Sequence, residues 1–416
     1  MQRIILHFDM SSYFASVEQQ ANPRLRGRPV GVVATMTPNG CIIASSREAK
    51  ALGIKTGCRV PEAKALCPHV VLIEVDPPKY RSTSERIFSL YAEYSEDIEP
   101  YSIDEAFVDL TGVAASYDRA LVIAREIQQR IKDEIGEWLV CSIGIAPTRW
   151  LAKFASDTAP KGEAIVLTQD NLFEYLQGRD VQEAWGIAGA TATQLEHLGI
   201  STLDQLATYP VQNLMTVMGV RGYYLWAQVN GIELSGLEVR RQPKSIGHSH
   251  ILRSRTRDPR FYQAVLMRLC ERTGRRLREK NLEAQGIYFH SSSDHRDSIG
   301  GSQKMHHPIT HTSQIFDYAW RLLQPHLRHD VPTFFAVGLF HLRPRVDQLT
   351  LFSNKKISPR LAQALDALNN KYGEETIVQG PLLRLGGMHA PDRVGFRKSV
   401  AAEFQGQGGL TMDDQL

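Results

Sequence analysis

Three acidic residues carry the strongest chemical signal in this sequence. Asp9 follows the apolar run RIILHF (3–8), and Asp104 and Glu105 stand side by side within SIDEA (102–106). Carboxylates repel one another when gathered away from water, so three in one place call for a cation among them. Ligation by oxygen alone selects a hard ion, Mg²⁺ or Mn²⁺. Two such ions can activate an attacking hydroxyl and stabilise a departing pyrophosphate in an in-line displacement. Isolated Asp-Glu pairs are common and mostly face solvent. The reading therefore depends on elements that bring position 9 to positions 104 and 105.

Other residue types point away from zinc and disulfide chemistry. The five cysteines, Cys41, Cys58, Cys67, Cys141 and Cys270, are odd in number and form no C-x-x-C pair. They fit buried, reduced thiols of a cytoplasmic protein. Ten of the 14 histidines fall between 240 and 345, among them His306, His307 and His311. Pro308 argues against a helical His307/His311 ligand pair, so polar surface histidines are expected there.

The net charge of +3 hides an asymmetry. Residues 240–345 hold 19 Lys+Arg and 8 Asp+Glu, a net of +11, while the rest of the chain carries −8. A basic block beside acidic ones suggests a domain that grips a polyanion, although a solvated basic surface reads the same way from charge alone. With 416 residues, 43% hydrophobic and 22% charged, the chain suits a soluble protein of several domains. No apolar run reaches the roughly 18 residues of a membrane span. The opening MQRIILHFDM has no signal-peptide pattern.

The elements that must position the acids can be read from periodicity. Residues 3–8 predict a strand covered on both faces, ending at Asp9, then a helix over 11–20 capped by Ser11 or Ser12. Residues 28–45 predict a strand–turn–strand unit, followed by short helices at 46–51 and 61–66. A longer amphipathic helix is expected over 79–96. Ile98–Leu110 reads as a β-hairpin with SIDEA at its bend. A helix over 120–134, a strand over 139–145 and a helix from 171 to 177 follow. Short helices punctuated by glycines run to about Gly231, and 232–243 reads as a linker. Residues 244–342 mix strands with helices near 258–279 and 313–325, and one more helix is expected near 358–372.

Four segments, in order, resemble the successive motifs of Y-family, lesion-bypass DNA polymerases of the bacterial DinB/UmuC class. They are FDMSSYFASVEQQANPRLRGRPVGV (8–32), ASSREAKALGIKTG (44–57), YSIDEAFVDLTG (101–112) and CSIGIAPTRWLAKFASDTAPKG (141–162). The resemblance extends over about 1–345, and 358–380 look similar to the tail of the UmuC-type branch. It implies an α+β, multidomain right-hand fold. A palm (1–19 and 75–166) would combine a mixed sheet with helices. Small fingers (20–74), a helix-hairpin-helix thumb (167–232), a linker (233–243), an α/β little finger (244–345) and a C-terminal tail (346–416) would complete it.

The same resemblance implies roles. Asp9, Asp104 and Glu105, with the Met10 carbonyl, would hold two Mg²⁺ ions, Mn²⁺ being the possible substitute. Phe14 falls on the steric-gate position, which excludes a ribose 2′-hydroxyl and so selects dNTPs, with Tyr13 beside it. Cys41 and Ile43 would lie over the nascent base pair, under a roof left open at Gly57. Arg47, Lys50 and Lys161 fall on triphosphate-binding positions. Many members carry Tyr and Arg where this chain has Arg47 and Lys50, and Lys before Pro where it has Pro160–Lys161. A point charge thus replaces a bidentate fork at Lys50.

Two Gly-rich bends, WGIAGATATQLEHLGI (185–200) and MGVRGYYLW (218–226), resemble helix-hairpin-helix motifs. Backbone N–H groups near Gly186, Ala188, Gly219, Arg221 and Gly222 would bind phosphates there. Ala188 stands where Gly is usual. Arg253, Arg255 and Arg257 alternate along an extended segment and would track the backbone of primer–template DNA. VDQLTLF (346–352) resembles the peptide by which bacterial polymerases dock on the sliding clamp, through Gln348, Leu349, Leu351 and Phe352.

The function implied is low-fidelity translesion synthesis by a monomeric, cytoplasmic enzyme, with no proofreading domain in the sequence. A Y-family-like adaptor that binds DNA and clamp without catalysis is the alternative, and retention of all three carboxylates argues against it. A nuclease using the same ions is a third reading.

Overall fold

The computed structural model describes residues 3–37, 40–234, 236–237, 243–252, 256–293, 298–309, 311–328, 331–346, 359–373 and 376–385. The chain divides into two compact units at 241/242.

The first unit runs β1 (Ile5–Met10), α1 (Tyr13–Ala21), β2 (Val30–Val33), β3 (Ile42–Ser45), α2 (Arg47–Ala51), α3 (Val60–Leu66), β4 (Val71–Glu74), α4 (Pro77–Ala92), β5 (Ile98–Pro100), β6 (Glu105–Asp109), α5 (Tyr117–Arg130), β7 (Cys141–Ala146), α6 (Arg149–Thr158) and β8 (Ala164–Val166). Helices α7 (Gln169–Leu176), α8 (Gly189–Glu196), α9 (Leu203–Thr208), α10 (Val211–Met218) and α11 (Val220–Val229) follow. The main sheet has the order β5-β6-β1-β7-β8, with β1 at its centre. A smaller sheet, β3-β2-β4, stands apart.

Alternation along β1 explains both cores. Leu6, Phe8 and Met10 join a cluster with α1, α4 and α5, whereas Ile5 joins Phe107, Trp150, Leu151 and the later helices. Successive side chains of a strand point to opposite faces, so His7 and Asp9 share the face of Ile5. That face is covered by α6. Gly144 lets α6 lie so close, because a Cβ there would stand 1.9 Å from the Ala152 carbonyl oxygen.

Several expected boundaries shift. β1 continues through Asp9 to Met10, since Asp9 and Met10 still pair with Ser142 and Cys141. Ser12 occupies the N-cap position of α1, but in left-handed backbone (φ 52°) and without a capping bond. The thiols are free; four are buried and Cys41 is exposed. Helix α6 and strands β4 and β8 were not foreseen from periodicity. Strands β4 and β8 are four and three residues long, too short to show a period, while α6 is amphipathic but spans only ten residues.

The second unit runs β9 (Ser245–Ile251), α12 (Pro259–Glu279), β10 (Leu282–Ser293), β11 (Ser298–Ile309), α13 (Thr312–Leu323), β12 (Pro332–Pro344) and α14 (Pro359–Tyr372). Its antiparallel sheet has the order β11-β10-β12-β9, and α12 and α13 pack against it around Phe289, Phe335 and Leu266. Helix α14 docks on α12: Arg278 donates from Nε and Nη2 to Asp366 at 2.6 and 2.8 Å. Leu382, just beyond, enters the core. Part of the stretch expected as a tail is thus packed into this unit. His306 and His307 lie exposed on β11, as expected, but His311, the N-cap of α13, is buried. Among the described residues no helix is long and apolar enough to cross a membrane.

Candidate active site

Asp9 and Glu105 are direct partners across the β1/β6 ladder. Directly opposite residues share a sheet face, so both acids project toward α6. Asp104 precedes them in the turn between β5 and β6, and its carbonyl accepts from the Met10 amide at 3.1 Å. Asp9 and the adjacent pair Asp104–Glu105, far apart in the chain, therefore meet at one end of the central strands.

Each acid answers to a different neighbour. Burial, then the charges of Glu105 and Asp104, pushes the Asp9 carboxyl up to about 7. Burial also raises Asp104 to about 6, although its carboxylate accepts from the Ser102 hydroxyl. Burial would raise Glu105 as well, but facing His7 and Lys153 reverse that and hold it at about 2. Lys153 Nζ donates to Glu105 Oε2 at 3.0 Å and to Asp157 Oδ1 at 3.1 Å. His7 Nε2 stands 3.6 Å from Glu105 Oε2, beyond hydrogen-bonding reach. Its Nδ1 is hydrogen-bonded to Ser156 Oγ at 2.6 Å. Burial drives the His7 ring down to about 4.

The donor set suits a hard divalent cation. Two carboxyls raised by burial and mutual repulsion gain most when a positive charge arrives. Among the described residues, though, no three acidic, histidine or cysteine groups are gathered tightly enough to chelate one ion. The reason is visible in the contacts: Lys153 draws Glu105 toward α6, and Ser102 holds Asp104.

Two lysines lie near Asp9. Lys161 Nζ lies 3.8 Å from Asp9 Oδ2. Lys50 feels burial first, then the Lys161 charge, both lowering it, while Asp9 works to raise it. Arg47 is exposed in the first turn of α2, whose N-cap Ser46 accepts from the Ala49 amide. Phe14 is buried and stacks on Tyr80, with ring centroids 4.4 Å apart. Tyr13 donates its hydroxyl to the Tyr80 carbonyl at 2.8 Å. Ile43 is half-buried against the main core, Cys41 is exposed, and Gly57 has φ +91° with open space where a Cβ would be.

The two glycine bends behave differently. Gly186 has φ +97°, and Ala188 is the N-cap of α8 without a side-chain cap. Gly219 alone separates α10 from α11, at φ 61° and ψ −147°, a backbone region open essentially to glycine. Gly222 is buried against α10, where a Cβ would lie 2.7 Å from the Leu214 carbonyl oxygen. Arg221 Nη2 donates to Thr191 Oγ1 of α8 at 2.6 Å, linking the bends. Arg257 is exposed. Arg253, Arg255 and the peptide Gln348, Leu349, Leu351 and Phe352 lie outside the described residues.

Sequence reasoning missed Lys153, His7 and Ser102. His7 left a signal, a polar residue in an apolar strand two positions before Asp9. Ser102 lay in the quoted SIDEA segment. Lys153 lay in the quoted 141–162 segment, but only the packing of α6 on β1 and β7 brings it to Glu105.

The comparisons follow this geometry. The fold is that of a Y-family DNA polymerase: a solved Y-family chimera matches at TM-score 0.72 and 24% identity, covering 82% of this chain and all of that one. Residues 8–157 match the impB/mucB/samB family, and residues 243–351 match its C-terminal domain. DNA polymerase IV of Bacillus velezensis is 33% identical over 391 residues, 92% of this chain and 94% of that protein. DNA polymerase IV of Moorella thermoacetica is 35% identical over 382 residues, 90% and 94% of the two chains. The chain therefore belongs to the impB/mucB/samB family, the Y-family DNA polymerases of bacterial type.

Proposed function

We propose that this chain is a template-directed DNA polymerase of low fidelity that adds deoxynucleotides to a primer opposite damaged template. The observation that carries the reading is the pairing of Asp9 with Glu105, with Asp104 beside them, at the end of a sheet in a Y-family fold. Asp9, Asp104, Glu105 and the Met10 carbonyl would hold two Mg²⁺ ions. When bound, these supply activation of the primer 3′-hydroxyl and neutralisation of the departing pyrophosphate. The chain's own residues orient and select. Lys50 and Lys161, with Arg47 at the mouth, would bind the triphosphate, and their charge offsets what develops on its oxygens. Phe14, flanked by Tyr13, would lie under the sugar and reject a 2′-hydroxyl. Cys41 and Ile43 would cover the nascent base pair, and the open space at Gly57 suits bulky templates.

In this reading residues 1–19 and 75–166 are the palm, 20–74 the fingers, 167–232 the thumb and 244–345 the little finger. The two glycine bends and Arg253, Arg255 and Arg257 would hold the primer–template, and Gln348 to Phe352 would engage a sliding clamp. The enzyme would act as a cytoplasmic monomer.

Running-start primer extension across an abasic site, with dNTPs and rNTPs in parallel, tests this. Wild type extends with dNTPs and Mg²⁺. Asp104→Ala loses incorporation by at least about 10³-fold while still binding DNA. Failure of the wild type to extend would favour the adaptor. Nucleotide release from labelled DNA without dNTP dependence would favour a nuclease.

A further inference from the structure

One buried carboxylate has no part in the acidic site. Glu18 is 5% exposed and sits one turn after Phe14 on α1. Its Oε1 accepts from the Tyr80 hydroxyl at 2.8 Å, and both its oxygens accept from Lys79 Nζ at 3.0 Å. Lys79 Nζ also reaches Asp76 Oδ2 at 3.3 Å, and Asp76 caps α4 by accepting from the Lys79 amide. Tyr80 is fully buried and returns the connection to Phe14, with the two rings inclined by only 13°. Phe14, α1, Glu18 and Tyr80 thus form a closed circuit, pinned to the start of α4.

Lys79 is half-exposed, so its pairing with Glu18 is screened by solvent and adds little stability. What such a pairing supplies is orientation. Three hydrogen bonds on one carboxylate fix where the tyrosine hydroxyl and the lysine stand. Without the Glu18 bond, the Tyr80 ring could slide along Phe14 at little cost, since stacking is tolerant of offset. A gate that discriminates by contact fails when its ring is displaced by about 1 Å, the scale on which positioning errors become large rate effects.

We propose that buried Glu18, paired with half-exposed Lys79 and acting through the Tyr80 hydroxyl, holds the Phe14 ring in register and so sets the discrimination between deoxyribo- and ribonucleotides. The inference rests on the reading of Phe14 as the sugar gate. Glu18, Lys79 and Tyr80 are positioning residues, and they act only through that ring.

The test uses the full-length protein and compares kcat/KM for a dNTP and the matching rNTP. Phe14→Ala comes first. It collapses the discrimination, and if it does not, the gate reading itself is wrong. Tyr80→Phe and Glu18→Gln keep kcat/KM for the dNTP within about twofold and lower the discrimination roughly tenfold. In the Phe14→Ala background the same substitutions change nothing further, as expected for residues working through one ring. The inference is overturned if Phe14→Ala collapses discrimination but Tyr80→Phe and Glu18→Gln leave it intact. It is equally overturned if their effects persist without the Phe14 ring. Tyr80→Phe removes one oxygen and keeps the stack, so it carries the test should Glu18→Gln not fold.

Discussion

At the scale of single residues, the acidic site is held against its own preference. Asp9 titrates near 7 in the folded chain against an ordinary 3.8, so the fold binds its proton more tightly than the unfolded chain does. Its contribution to stability is complete below about pH 3.8 and is lost as pH rises through about 7. In chelator, Asp9→Asn is therefore expected to melt a few degrees above wild type at pH 8 and level with it at pH 4. Thermal unfolding across that range checks the sign. Lys153 gives the complementary case. Lys153→Met strands Glu105 and Asp157, lowering metal-free stability by roughly 1–3 kcal/mol. It also releases Glu105 toward Asp9, so Mg²⁺ should raise the melting temperature of this variant more than that of wild type. An equal rise in both proteins would show that Lys153 does not restrain Glu105.

At the scale of elements, α6 decides the character of the site. Thr148 caps it by accepting from the Leu151 amide, and Arg149 ties its first turn to β5 through Glu99 at 2.9 and 2.6 Å. Its placement depends on Gly144, where no side chain fits. Gly144→Ala should cost more than ~3 kcal/mol, by overpacking a site whose nearest neighbour is backbone. Denaturant unfolding of the purified variant measures it, and a cost under ~1 kcal/mol would mean that α6 can move. Much at this scale was legible in the sequence. The β5/β6 hairpin, the α4 helix and the α12 and α13 helices follow from strong periodicity. Helix α6 does not, because its ten residues, though amphipathic, span fewer than three turns, and its caps are a single Thr and a Thr-Ala-Pro exit.

At the scale of the whole molecule, charge is distributed by unit. Residues 240–345 carry a net +11 in a chain of +3 overall. Binding to primer–template DNA should therefore release many counterions, with log K falling against log salt at a slope steeper than about −4. Neutralising Arg253, Arg255 and Arg257 together should flatten that slope by about 2–3. Fluorescence anisotropy at stepped salt concentrations checks both values. A slope near zero would place DNA binding outside the basic unit. The stretch expected as a tail belongs to this scale too: α14 is tied to α12 through Arg278 and Asp366, and Leu382 beyond it enters the second unit's core.

The sequence by itself determined the family and most of the elements, and it singled out the three acids proposed as the site, because motifs and periodicity are local and survive without coordinates. Tertiary structure alone decided which neighbours govern those acids. Lys153 reaches Glu105, and Ser156 reaches His7, only when α6 folds across β1, and Glu18 reaches Tyr80 only when α1 meets α4. Such contacts depend on how faces are paired in space, and spacing along one chain does not encode the distance between residues that two separate elements bring together.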